Sequence, residues 1–162
     1  MSGILDGFRQ WIAPPQGAGD NLFKLECYIA GPASLEEINS AWPNACLDPL
    51  LVKLWTECRE AVLFRDVEYG QWGLRILAPA KSAELTASEP RERPGDFQLD
   101  DVVLAEFLGD QELLVVAPSE RGDRSVLVAL PLDPREEWYA VGANLEAFFT
   151  RYLEANGEKF WE

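Results

Sequence analysis

Two carboxylate pairs, Asp66 with Glu68 and Asp100 with Asp101, have the spacing at which general-acid and general-base roles could be divided. On a strand, residues two apart share a face and neighbours do not, so Asp66 and Glu68 could converge whereas Asp100 and Asp101 could not. Carboxylates are the main reactive groups because the chain contains no histidine. That removes Ser-His-Asp and Cys-His catalysis, His-bearing zinc sites and a histidine pH switch. Cys27, Cys46 and Cys58 are too far apart for a CxxC redox or zinc pattern, and no histidine is present to stabilise a thiolate. Cys58 is expected as a small buried hydrophobe. Gly70 and Gly73 bracket Gln71-Trp72 without a third glycine or a Walker lysine, which reads as a turn between strands rather than a phosphate cradle. Arg121-Gly122-Asp123 reads as a hairpin turn. With 28 acids in 162 residues, acidic pairs arise by chance, so a solvated surface is the expectation for them.

Those 28 acids face 14 Lys plus Arg, giving a net charge of −14. Such a surplus repels a phosphate backbone, which argues against nucleic-acid binding. The apolar runs fall far short of the roughly 20 residues of a membrane helix. Asp6 and the lack of an early basic cluster argue against a secretory signal. With an odd number of cysteines, the expectation is a cytoplasmic protein in a reducing compartment. The length suits one domain with 48% apolar residues for its core. Residues 1–20 read as an N-terminal arm and Pro/Gly linker, and residues 21–162 as the domain.

The elements that must position the acids follow from periodicity. Leu22–Ile29 alternates imperfectly and suits a first strand. Ser34 and Glu37 form a capping box that opens a helix to about Trp42, and Asp48-Pro49 opens a second helix with Leu50, Leu51, Leu54, Trp55 and Cys58 on one face. Ala61–Phe64, Leu74–Leu77, Val102–Leu108, Leu113–Val116 and Val126–Leu132 are β-rich runs separated by turn residues, and Gly109-Asp110 and Gly122-Asp123 give successive strands short connections, so an antiparallel meander is expected. The polar, proline-bearing segment Ala80–Pro94 reads as an excursion or a loop. Leu145, Phe148, Phe149, Tyr152 and Leu153 recur at helical spacing behind Asn144 and before Asn156-Gly157, defining a closing helix. The sum is an α+β domain.

Between Gly95 and Ser119 lie six acids (Asp96, Asp100, Asp101, Glu106, Asp110, Glu112) and no Lys or Arg. Alternation with Val102, Leu104 and Phe107 predicts an acidic outer sheet face, either for solubility or as a docking surface for a basic protein. Exposed tryptophans among Trp42, Trp55, Trp72, Trp138 and Trp161 would serve as anchors.

Several ordered segments resemble the SUKH superfamily of the Smi/Knr type. They are Ser34-Leu35-Glu36-Glu37-Ile38, Leu50–Trp55, Phe64-Arg65-Asp66 leading to Tyr69-Gly70-Gln71-Trp72-Gly73-Leu74, Phe107-Leu108-Gly109-Asp110-Gln111-Glu112-Leu113-Leu114, and Phe148–Leu153. The resemblance spans roughly Ala33 to Trp161. It implies an α+β fold with a twisted, mainly antiparallel sheet and flanking helices, and no catalytic constellation, cofactor or metal. Bacterial members are commonly immunity proteins, so the implied function is stoichiometric neutralisation of a cognate polymorphic toxin, many of which are nucleases with basic clefts. The expected contact residues are Asp66, Tyr69, Trp72, Asp96, Asp100, Asp101, Asp110 and Glu112. The alternative is a scaffold or regulatory module, as in fungal members. A carboxylate hydrolase ranks third, and would need two acids converging in a closed pocket.

Overall fold

A computed structural model describes residues 3–12, 25–43, 47–118 and 124–162. The Pro/Gly loop at residues 13–20, the start of the expected first strand, Cys46 and the Arg121-Gly122-Asp123 turn lie outside the described residues. Among the described residues seven strands, β1 (Leu25–Ile29), β2 (Ala61–Asp66), β3 (Leu74–Ile76), β4 (Val102–Phe107), β5 (Leu113–Pro118), β6 (Arg124–Ala129) and β7 (Tyr139–Gly142), lie side by side in chain order. Every neighbouring pair is antiparallel. Short connections return β3 and β5 beside their predecessors, whereas longer helical segments join β1 to β2 and β3 to β4, and the whole makes the domain α+β.

Among the described residues four α-helices flank the sheet: α1 (Leu35–Ala41), α2 (Pro49–Glu57), α3 (Pro79–Glu92) and α4 (Leu145–Glu154). Their starts are set by local chemistry. Ser34 Oγ accepts from the Glu37 amide, Asp48 Oδ1 from the Leu50 amide and Asn144 Oδ1 from the Ala147 amide. The reciprocal half of the capping box is diverted, for the Glu37 carboxylate takes Arg59 Nε at 2.7 Å. No helix among the described residues is long and apolar enough to cross a membrane.

One sheet face carries the larger core. Leu51, Leu54 and Trp55 of α2 and Leu145, Phe148, Phe149 and Tyr152 of α4 join Leu63, Leu74, Leu104, Leu114 and Val128, all essentially inaccessible to solvent. Leu5 and Phe8, in the stretch read as an arm, are also buried there. Phe8 sits with its ring 5.6 Å from Phe64 and 6.1 Å from Phe149, so this stretch belongs to the core. Phe64 is placed by a β-bulge: between the pairs Tyr28↔Val62 and Glu26↔Arg65 the strand gains a residue, and Phe64 adopts φ +54°. Leu63 and Phe64 then both turn inward.

The opposite face is covered as well, which corrects two expectations. Segment Ala80–Pro94 does leave the sheet, between the neighbouring strands β3 and β4, and it is not a loop but most of α3, started by Pro79 at its first turn and tolerating Pro90 near its end. Its sheet-facing residues tie to the strand by hydrogen bonds: Ser82 Oγ donates to the Val103 carbonyl at 2.6 Å, and Thr86 Oγ1 accepts from the Val103 amide at 2.9 Å. A bulge after Val103 presents that backbone to the helix. Because the tie is polar, α3 lacks the apolar stripe that would have announced it. Leu85 of α3, with Phe97, Val103, Val115, Ala117, Ala129 and Trp138, forms a second, smaller core under this face. The acidic outer face expected for β4 is therefore absent, since five of its six residues are buried and Glu106 pairs with Arg75 at 3.1 Å.

Candidate functional site

The eight acidic and aromatic residues singled out in the sequence separate into three groups. Trp72, Asp110 and Glu112 meet around Lys159, from the turns that follow α4. Gly109 makes this possible: at φ +91° it turns the β4–β5 hairpin, and a Cβ there would stand 2.3 Å from the Gln71 carbonyl oxygen. The hairpin tip thus rests on the β2–β3 connection, where the Leu108 amide donates to the Gly73 carbonyl. Lys159 enters the angle between them. Its side chain is 8% exposed, donates to Asp110 and to Glu112 at 2.7 Å, and lies 5.6 Å from the Trp72 ring and 5.4 Å from that of Phe107. Burial works to lower the lysine pKa, but the hydrogen bonds Lys159 donates to Asp110 and Glu112, with their charges, outweigh that and hold the ammonium above its ordinary value.

Asp96 and Asp101 form the second group, around Arg135. Asp101 is buried, its side chain 3% exposed, and receives Arg135 in two-pronged fashion at 2.6 and 3.2 Å while Oδ2 also accepts from the Gln98 amide at 2.8 Å. Asp96 takes Arg93 at 3.1 Å, and its backbone carbonyl takes Arg135 at 2.9 Å. The Trp138 ring lies 5.2 Å from the Arg135 guanidinium and 5.5 Å from that of Arg93.

The third group is dispersed. Asp66 Oδ1 accepts from the Glu68 and Tyr69 amides and so closes the β2–β3 turn, leaving Tyr69 76% exposed. Asp100 lies in an exposed loop at φ +70°, with its carbonyl taking Arg124. The single acidic docking face expected from these residues is corrected: Asp96, Asp101, Asp110 and Glu112 are each matched by a cation from Arg93, Arg135 or Lys159. The stretch from Gly95 to Ser119 lacks basic residues only in sequence, for the chain brings them in from either side.

Between these clusters lies a surface that the sequence did not point to. A groove of about 620 Å³ runs between the C-terminal half of α3, with Leu85, Glu89, Glu92 and Arg93, and the β4–β5 hairpin, with Glu106, Leu108, Gln111 and Leu113. Pro131 separates it from a hollow of about 400 Å³ that ends at Lys159, Asp133 and Glu162. Seven carboxylates and two cations line the two together. Leu132, at the divide, is 93% exposed. The hollows are open and lack two acids converging in an enclosed site, the arrangement a carboxylate hydrolase would need.

The thiols lie elsewhere. Cys27 and Cys58 are buried, and burial pushes both up to about 12, so each is a neutral packing group near neutral pH. Among the described residues no group of three or more Cys, Asp or Glu could hold a metal ion. No family model matches the chain, and no curated protein matches it.

Proposed function

We propose that this chain is a non-catalytic, SUKH-type immunity protein that binds a cognate basic toxin domain one-to-one, in the cytoplasm, and blocks it by covering its working surface. The observation that supports this reading is the pair of hollows on either side of Pro131, lined by apolar residues and by seven carboxylates; Glu106, Asp110, Glu112 and Glu162 already face Arg75 or Lys159, and acids still outnumber cations there. A surface of that sign attracts a positively charged cleft and repels nucleic acid. Leu132 and the groove floor add the apolar contact a specific interface needs. The contact thus moves from the sheet face expected earlier to the α3–hairpin groove.

The test is to read the open reading frame immediately upstream and to co-express this chain with the variable C-terminal domain of a large secreted protein found there; an isolated locus counts against the proposal. Restored growth and a one-to-one complex on gel filtration, associating more slowly as salt is raised, are the expected results. Growth arrest that this chain fails to relieve, with no complex formed, overturns the proposal.

A further inference from the structure

The protein-binding reading leaves open what part of a partner the α3–hairpin groove accepts. The Glu89 carboxylate, half-buried on the groove wall, has no ion pair or side-chain hydrogen bond among the described residues. Glu92 follows it at i+3 on the same helix wall and adds charge of the same sign. The nearby cation is already committed: Arg93 donates to Asp96 and to the Asp133 carbonyl and faces the Phe97 and Trp138 rings. Leu85, Leu113 and Pro131 give the same groove an apolar lining. Two like charges beside apolar carbon are a poor arrangement when empty and a good one around a cation on an aliphatic stem.

Resting on that reading, we infer that this groove is an anchor site for an arginine or lysine side chain of an extended, basic partner segment, with the stem on Leu85, Leu113 and Pro131 and the cation at Glu89 and Glu92. Burial, with Glu92 adding to it and Arg93 opposing, raises the Glu89 pKa. An extended segment fits better than a free small cation because the groove continues past Pro131 to the second hollow, with Leu132 standing free between them. A nucleic acid would meet carboxylates at either end.

The probe is a short synthetic peptide with two arginines flanking a leucine, titrated into the full ¹⁵N-labelled chain beside an otherwise identical peptide carrying citrulline. Amide shifts should concentrate at Leu85, Glu89, Gly109 and Gln111, and the citrulline peptide should bind at least about threefold more weakly. Glu89→Gln should weaken the arginine peptide by about two- to fivefold, with an unchanged spectrum elsewhere reporting an intact fold. The exposed change Glu36→Gln on α1 should leave affinity alone. Shifts centred on another surface, or equal affinity for the Glu89→Gln chain, overturn the anchor. The growth and complex assays report binding of the whole toxin domain whichever surface makes the contact, so a failed peptide titration beside a successful complex overturns the anchor alone.

Discussion

Replacing Asp101 by Asn tests whether the acids of the 95–119 stretch are structural. The substitution preserves shape but removes the charge facing Arg135, whose side chain is itself only 14% exposed. Asp101 accepts three N–H groups, two from Arg135 and one from the Gln98 amide. An amide can keep one acceptor and must turn its own NH₂ toward a donor. Loss of one charge-assisted bond costs about 1.5–3 kcal/mol, and leaving a buried partner unpaired brings such losses to about 3–5 kcal/mol. Arg135 retains the Asp96 carbonyl and the Trp138 ring, which places the expected loss near the lower bound, about 3 kcal/mol. For a domain of this size that is about 6–12 °C in Tm. Urea unfolding of Asp101→Asn, Arg135→Met and the double variant measures it, and the double variant should be more stable than additivity allows by about 2 kcal/mol. Asp100→Asn is the control: its side chain is exposed and Asn tolerates φ +70°, so stability should move by less than about 0.5 kcal/mol. If Asp101→Asn proves as mild as Asp100→Asn, or the cycle shows no coupling, the ion pair does not hold this side of the domain together.

Gly109→Ala should cost about 2–3 kcal/mol by urea unfolding, because the residue combines φ +91° with a Cβ that would overlap the Gln71 carbonyl; a loss under about 0.5 kcal/mol would mean the hairpin tip is not seated there. Lys159→Met should lose about 2 kcal/mol at pH 8 by leaving Asp110 and Glu112 without their cation. Because folding raises the Lys159 pKa, its contribution is complete below about pH 10, the ordinary lysine range, and fades as pH climbs through the higher folded value. The stability gap between wild type and Lys159→Met should therefore narrow toward pH 11, and a constant gap would refute that linkage.

Much of the framework was legible because it is written in short-range signals. Ser34, Asp48-Pro49 and Asn144 cap helices through contacts two or three residues away, and the β-rich runs joined by turns can scarcely pair except with their sequence neighbours. Strand β7 was not seen, since its four residues offer little pattern and only Val141 is buried. Helix α3 was missed for a different reason: Ser82 and Thr86 bind a bulged backbone that no reading of the helix alone could supply. Leu5 and Phe8 looked like an arm because their partners, Phe64, Phe149 and Tyr152, lie more than 50 residues downstream.

The amino-acid order by itself determined the α+β class, the antiparallel meander, the capped helices and the absence of histidine chemistry, all consequences of composition and of contacts within a few residues. Only the tertiary structure decided what the carboxylates do. Charge pairing acts through space, so Lys159 and Arg135 could neutralise Asp110, Glu112 and Asp101 across 34 to 49 residues of chain, while Glu89 on its groove wall has no ion pair among the described residues.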